Sequence, residues 1–237
     1  MHRVADYGNS VWLRYQGLKV AERITADESA SGEVIPQAFY DRDVALVARQ
    51  LLGKLLVRRS RDGICIGRIV ETEAYLASGD SASHSFRGRT KKNAAMFGPP
   101  GLAYVYPIHA RYCMNAVTQQ RGCASAVLIR ALEPMVGIEI MRKRRGIDKL
   151  LDLCRGPARL CEALAVDRNL DGWNMTCSTR LWIAHDSSRR RQRFHITNSA
   201  RIGVSSAQEA QLRFFIDGSP FVSGLKRLHR TTPRTKR

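Results

Sequence analysis

The sequence of 237 residues has few acidic side chains, no Cys-x-x-Cys pair and no long hydrophobic run. Six cysteines without that spacing indicate neither a zinc ribbon nor a thioredoxin-like redox site. No apolar stretch approaches membrane-spanning length, and basic residues interrupt the apolar runs of the first 36 residues, so we expect neither a membrane span nor a signal peptide. The cysteines are therefore expected to be reduced and mostly buried, in a cytoplasmic protein.

The shortage of acidic residues leaves a large positive charge. Lys and Arg number 39 against 21 Asp and Glu, which gives a formal net charge of +18. This charge attracts polyanions, with nucleic acid as the leading candidate, although acidic membranes and ribosomes would also satisfy it. Three basic clusters, at residues 142–145, 189–193 and 226–237, are expected to raise affinity for DNA without adding sequence specificity.

Composition divides the chain into a polar N-terminal extension (1–36), a folded domain (37–224) and a basic tail (225–237). Asp41 is the expected N-cap of a helix that ends at Gly53. Strands are expected at 55–59 and 64–76, joined by a turn, and again at 103–106, 112–118, 125–132, 180–184 and 213–216. With helices at 135–145 and 157–165, this order predicts one mixed α/β domain on a curved, largely antiparallel sheet.

The strand at 64–76 carries acidic residues where a buried strand would be apolar. Side chains alternate along a strand, so Ile69, Glu71, Glu73 and Tyr75 are predicted to share one face. Because an unpaired buried carboxylate is costly, we expect this face to open into a polar cleft where an acid does chemistry. The alternative is a wet outer face on which Glu71 or Glu73 pairs with an arginine.

The same segment begins a series of motifs that resembles the alkyladenine (3-methyladenine or methylpurine) DNA glycosylase family. The motifs are GRIVETEAY (67–75), MFGPPG (96–101), AYVY (103–106), CMN (113–115), VLIRALEP (127–134), LCRGP (153–157) and RIGV (201–204). An ordered series of this kind is far more specific than any single short motif. The resemblance implies the same mixed α/β fold and an enzyme that flips alkylated or deaminated purines out of double-stranded DNA and hydrolyses the N-glycosidic bond.

The resemblance also assigns catalytic roles. Glu73 matches the general base that activates the attacking water, and Arg130 is placed at that water and a nearby phosphate. From the residues alone, Arg130 could instead form a buried ion pair with Glu133 or another acid. Glu71 receives no catalytic role, and no second motif acid presents itself as a proton donor.

Four further residues match the pocket that holds the flipped base. Tyr75 and His84 would stack on it, Tyr106 would pack near the catalytic water, and Asn115 would crowd the exocyclic amine of guanine and so exclude that normal base. The alternatives are a structural histidine and ordinary strand tyrosines.

One departure concerns the residue that wedges into the minor groove. The family commonly has a tyrosine there, whereas this chain has His109 at the aligned place, in a segment one residue shorter. A histidine is smaller and more polar, so we expect weaker flipping, with Arg111 or Tyr112 as alternative wedges.

The expected partner is double-stranded DNA containing damaged purines, bound by a monomer that is nucleoid-associated if bacterial, with no cofactor and no metal. No lysine or N-terminal proline occupies a motif position suited to Schiff-base chemistry, so we expect an abasic product without strand cleavage. Two alternatives are a basic nucleic-acid-binding protein without catalysis and an acyl- or formyl-transfer enzyme on a similar β-rich fold.

Overall fold

The computed structural model describes residues 32–187 and 194–225. Most of the predicted N-terminal extension, the basic cluster at 189–193 and nearly all of the tail lie outside the described residues, so the domain boundaries stay predictions. The described α-helices and β-strands are, in chain order, α1 (Gln37–Tyr40), α2 (Val44–Leu51), β1 (Leu55–Ser60), β2 (Gly63–Tyr75), β3 (Ala103–Ile108), β4 (Arg111–Thr118), β5 (Ser125–Val136), α3 (Ile138–Arg145), α4 (Leu150–Leu153), α5 (Pro157–Ala163), β6 (Leu181–Ala184), β7 (Ile196–Ser199) and β8 (Arg213–Ile216).

Strand β2 is the centre of a curled sheet in which the described pairs are antiparallel. On one edge β2 pairs with β5, and on the other it pairs first with β1 and then, from Glu71 to Glu73, with β8. The order of the main path is β3-β4-β5-β2-β1-β6, and β7 joins β8. Register shifts between β2 and β5 bend the sheet, because each extra residue locally increases twist. The predicted mixed α/β fold on a curved antiparallel sheet is confirmed.

Helix α2 covers one face of β2. Its buried residues Val44, Val47 and Leu51 follow helical spacing, and the Thr72 hydroxyl of β2 donates a hydrogen bond of 2.9 Å to the Ala48 carbonyl oxygen. The predicted N-cap was wrong by two residues, because the side chain of Asp43, not of Asp41, accepts the hydrogen bond of the first turn. This packing leaves the opposite face of β2 for the carboxylates.

The other predicted elements agree with the structure except at particular ends. The helix expected to begin at residue 135 begins at Ile138, because β5 continues to Val136 and Gly137 turns the chain with a φ of 74°. Strand β7 was not predicted, since Ile196–Ser199 is short and mostly polar. All six cysteines are free and four are buried, as expected. Within the described ranges, no helix is both long enough and apolar enough to cross a membrane.

Candidate active site

A cleft of about 480 Å³ opens where β2, β3 and β4 meet two loops. Four of the residues predicted to form a base pocket, Tyr75, His84, Tyr106 and Asn115, line this cleft together. The remaining lining residues are Ser81, Ala82, Ser83, Phe86, Arg87, Met96, Tyr104, Ile108, Gly203, Val204, Ser205 and Ser206. The structure therefore brings residues up to 40 positions apart in the matched motifs into one concave surface, the usual form of a small-ligand site.

Three rings form one wall of the cleft. The centroids of His84 and Tyr106 are 4.4 Å apart with planes at 72°, and those of Tyr104 and Tyr106 are 5.4 Å apart. The Tyr104 hydroxyl lies 2.8 Å from His84 Nδ1. Burial raises the pKa of Tyr104 to about 12 and that of Tyr106 further, while desolvation lowers the pKa of His84. At neutral pH the wall is therefore uncharged and suited to stacking on a flat ligand.

Asn115 lies on β4 opposite Tyr104 of β3 and is almost fully buried. Its side-chain amide donates a hydrogen bond of 3.1 Å to the Tyr104 carbonyl oxygen. This bond ties the amide to the sheet, so Asn115 presents a fixed polar edge to the cleft.

Glu73 lies one hydrogen bond behind the cleft. Its Oε2 accepts a 2.9 Å hydrogen bond from the Tyr75 hydroxyl, and its Oε1 accepts a 2.7 Å bond from the backbone N–H of Ile202. The expectation that the carboxylate face opens into a cleft is only partly right, because Glu71 and Glu73 are both fully buried and Tyr75 alone of the predicted face lines the cleft. The alternative of a wet outer face is wrong about exposure for the same reason, but it is right that these carboxylates pair with arginines.

Arg130 connects the two carboxylates. Its Nη1 lies 3.1 Å from Glu73 Oε2 and its Nε lies 2.9 Å from Glu71 Oε1. Strand β5 carries Arg130 as an extra residue between two pairs with β2, at a register shift beside Glu71. Arg130 therefore forms a buried ion pair, which was the alternative drawn from the residues alone. Its partners are Glu71 and Glu73, whereas Glu133 pairs with Arg68.

Glu71 is the anchor of this buried network. Its carboxylate accepts hydrogen bonds from Arg213 Nε at 2.7 Å, from the Ser223 backbone N–H at 2.6 Å and from the Ser223 hydroxyl at 3.0 Å, in addition to the bond from Arg130. Burial alone would raise the pKa of Glu71, but Arg130, Arg213 and the backbone of Ser223 hold it below its ordinary value. Two arginines thus balance two carboxylates inside the domain.

A second buried ion pair supports Tyr75 from behind. Arg201 donates two hydrogen bonds of 2.7 Å to the Asp80 carboxylate, and its guanidinium carbon lies 4.6 Å from the Tyr75 ring centroid. Asp80 also accepts from the backbone N–H groups of Leu76 and Ala82. The pair connects the two loops that border the cleft and keeps the Arg201 guanidinium over the Tyr75 ring.

Sequence reasoning missed these supporting residues as functional positions. Arg201 was part of a matched motif but received no role, and Asp80 was not singled out. Arg213 could have been found as a lone charge in the apolar run of β8, where a buried guanidinium requires acidic partners.

The predicted wedge His109 lies at the tip of the hairpin between β3 and β4. His109 and Ala110 form a two-residue turn with φ values of 43° and 60°, both in the left-handed region. Ile108, just before the turn, lines the cleft, but His109 and the alternative wedges Arg111 and Tyr112 are not among the described lining residues. The tip is exposed, and the role of His109 as a wedge stays a prediction.

Within residues 32–187 and 194–225, no three His, Cys, Asp or Glu side chains lie close enough together to hold a metal ion. The cleft instead combines aromatic walls, a fixed amide edge and a carboxylate–arginine pair one hydrogen bond behind the surface. On a curled antiparallel sheet in a strongly basic protein, this combination is the one expected of a DNA glycosylase.

Comparison with known proteins shows which family this is. The sequence profile of the methylpurine-DNA glycosylase family matches residues 38–220, and the chain belongs to that family. It is 48% identical over 218 residues to a Rhodopirellula baltica protein named "Putative 3-methyladenine DNA glycosylase", with 86% of this chain and 89% of that protein covered. It is 40% identical over 231 residues to the Mus musculus protein named DNA-3-methyladenine glycosylase, with 91% and 68% covered. The predicted enzyme class, a monofunctional DNA glycosylase that hydrolyses N-glycosyl bonds, is confirmed.

Proposed function

We propose that the protein flips alkylated or deaminated purines out of double-stranded DNA and hydrolyses the glycosidic bond with a water that Glu73 activates. The expected lesions are 3-methyladenine, 7-methylguanine, hypoxanthine and ethenoadenine. The observation that carries this proposal is the position of Glu73, one hydrogen bond behind a cleft whose walls are tyrosine and histidine rings. If a flipped base stacks in that cleft, its sugar would lie on the same side as the Glu73 carboxylate.

The contacts of the polar residues support the roles that the family resemblance suggests for them. Glu73 would accept the proton of the attacking water, and Arg130, which already contacts Glu73 at 3.1 Å, would orient that water and stabilise a nearby phosphate. Tyr75 and His84 would hold the base between them while Tyr106 closes the wall beside the water. Asn115 would select against guanine, because its tethered amide edge would meet the exocyclic amine of that base. 7-Methylguanine has the same amine, but its positive charge makes it a better leaving group, which would offset the weaker fit.

The lining of the cleft also supports the choice of lesions. Among its described lining residues there is no Asp or Glu to protonate a leaving base and no Lys to form a Schiff base. An N3- or N7-alkylated purine already carries positive charge and leaves without an added proton. Hypoxanthine and ethenoadenine would need a proton from water and are expected to be released more slowly.

The direct test is release of base from duplexes that contain a single hypoxanthine, ethenoadenine or 7-methylguanine, and from alkylated genomic DNA that carries 3-methyladenine, all with a chelator present. We expect free base and an abasic strand that breaks only after alkali, with no covalent complex trapped by borohydride. Tight DNA binding without release from any substrate would favour a basic binding protein without catalysis. Activity that requires added metal would contradict the mechanism.

A further inference from the structure

Two of the large apolar side chains exposed in the described part of the chain lie at the mouth of the cleft. Phe86 is 56% exposed and Ile108 is 39% exposed, and both line the cleft. Leu46 and Leu225, which are similarly exposed, are not among the lining residues. Apolar side chains gathered at the mouth of a polar cleft, and not scattered singly, indicate a surface that a ligand covers.

Phe86 begins a strongly basic segment. Residues 86–92, here called the lip loop, read Phe-Arg-Gly-Arg-Thr-Lys-Lys, with four cations, no acid and every residue exposed. Arg87 and Lys92 also line a second groove of about 620 Å³, to which Arg168 adds another cation. An apolar ring next to clustered cations fits a ligand that presents flat bases together with phosphates, and this combination favours nucleic acid over an apolar protein surface.

The two cavities share a wall. His84, Tyr104 and Tyr106 line the base cleft on one side and the basic groove on the other. A nucleotide whose base enters the cleft would therefore have the basic groove directly beside it, within reach of the phosphates that flank it. The positive charge of the groove would therefore lie next to the negatively charged phosphates.

The lip loop is held in place before any ligand binds. The Asn93 side-chain amide donates to the carbonyl oxygens of His84 at 2.8 Å and Gly88 at 3.0 Å, and the Thr90 backbone N–H donates to Asn93 Oδ1 at 2.6 Å. The Ser85 hydroxyl donates to the Ala124 carbonyl oxygen at 2.8 Å. A tethered loop has less conformational entropy to lose on binding, so its contacts contribute more to affinity.

We propose that the lip loop is a second DNA-contacting element, separate from the hairpin tip. Phe86 packs against the nucleotide next to the flipped one, and Arg87 and Lys92 neutralise flanking phosphates in the basic groove. The inference rests on the function proposed above, since it assumes that a purine nucleotide enters the cleft. The ligand that covers the lip loop and the basic groove is the double-stranded DNA substrate itself.

The test compares two kinds of lip variant with matched controls in the full chain. Phe86→Ala removes the ring and Phe86→Tyr retains it, with Leu46→Ala as the control for loss of an exposed apolar side chain. Arg87→Gln and Lys92→Gln each remove one charge, with Arg61→Gln as the control. Arg61 is exposed in the turn before β2, at the opposite end of that strand from Tyr75, roughly 40 Å away along an extended strand. None of the controls belongs to the proposed site.

Two measurements distinguish the contacts. The first is single-turnover release of hypoxanthine, with a 2-aminopurine beside the lesion to report unstacking by its fluorescence. The second is the slope of log affinity against log salt concentration. Phe86→Ala is expected to lower the excision rate about 5- to 150-fold and to reduce the rise in fluorescence, because one base–aromatic stack is lost. Phe86→Tyr keeps the ring and should remain close to wild type. Each charge variant should reduce the salt slope by about one unit.

The outcomes separate this inference from the function on which it rests. If wild type releases base but Phe86→Ala behaves like Leu46→Ala, and the charge variants behave like Arg61→Gln, the lip loop is not a DNA contact and only this inference fails. If wild type itself releases no base, the proposed function fails. A Phe86→Tyr protein as impaired as Phe86→Ala would also overturn the stacking role.

Discussion

Replacing Glu71 by glutamine tests whether this carboxylate is the structural anchor of the buried network. Glutamine has nearly the same size, but its amide places a donor where Glu71 now accepts from Arg130, Arg213 and two groups of Ser223. Breaking a buried ion pair by removing one partner costs about 3–5 kcal/mol, because the remaining charge stays buried. For a domain of this size each kcal/mol lowers the melting temperature by about 2–4 °C, so we expect a fall of about 6–20 °C.

The assay is urea and thermal unfolding followed by circular dichroism, with Glu139→Gln as the control. Glu139 also forms an ion pair with an arginine, Arg142, but its side chain is 81% exposed, so its loss should cost less than about 1 kcal/mol. A Glu71→Gln protein that loses less than about 1 kcal/mol would refute the reasoning that the network depends on this carboxylate.

Glu71→Gln should also change how the free energy of unfolding depends on pH. The pKa of Glu71 in the folded protein lies below its ordinary value of 4.5, so its contribution to the free energy of unfolding is complete above that value and is lost as pH falls below it. Wild type should therefore lose stability more steeply than Glu71→Gln between about pH 4.5 and pH 2. Parallel curves would contradict the assignment of an ionised buried carboxylate.

Two further variants test the surroundings of the cleft. Asp80→Asn leaves the Arg201 guanidinium uncompensated 4.6 Å from the Tyr75 ring centroid, so a cationic base stacked on that ring would be repelled. Excision of 7-methylguanine should fall about tenfold more than excision of neutral hypoxanthine, a ratio that a general loss of structure would leave unchanged. His109→Gly removes the backbone strain of a non-glycine residue with left-handed φ at the hairpin tip, so the melting temperature of the variant should equal or exceed that of wild type. If His109 is the wedge, hypoxanthine excision should nevertheless fall. Unchanged excision would remove His109 from that role.

The sequence predicts those parts of the fold that have local patterns. Strand β8 was predicted with the bounds observed, because Arg213–Ile216 is an apolar run between turns, and the β1–β2 hairpin followed from its turn residues. The tip at His109 has neither Gly nor Asn, so no residue type there marks a left-handed turn. Its geometry follows only from the pairing of Ile108 with Arg111.

The supporting network of the site could not be read from local patterns. Glu71 is 142 residues from Arg213 and 152 from Ser223, so only the folded sheet brings them together. Arg130 is the extra residue of β5 at a register shift with β2, and alternation along one strand does not show such a shift. The family resemblance, by contrast, pointed to Tyr75, His84, Tyr106 and Asn115 without any knowledge of the fold, and the folded chain places all four in one cleft. Their roles in that cleft stay predictions.

The role of Glu73 is tested by single-turnover release of 7-methylguanine and hypoxanthine by wild type and Glu73→Gln, with the affinity for lesion DNA measured for both proteins. We expect Glu73→Gln to bind lesion DNA about as tightly as wild type but to release base about 10²- to 10⁴-fold more slowly, because a general base is lost. Turnover by Glu73→Gln at the wild-type rate would contradict this role, because the water would then be activated by another group.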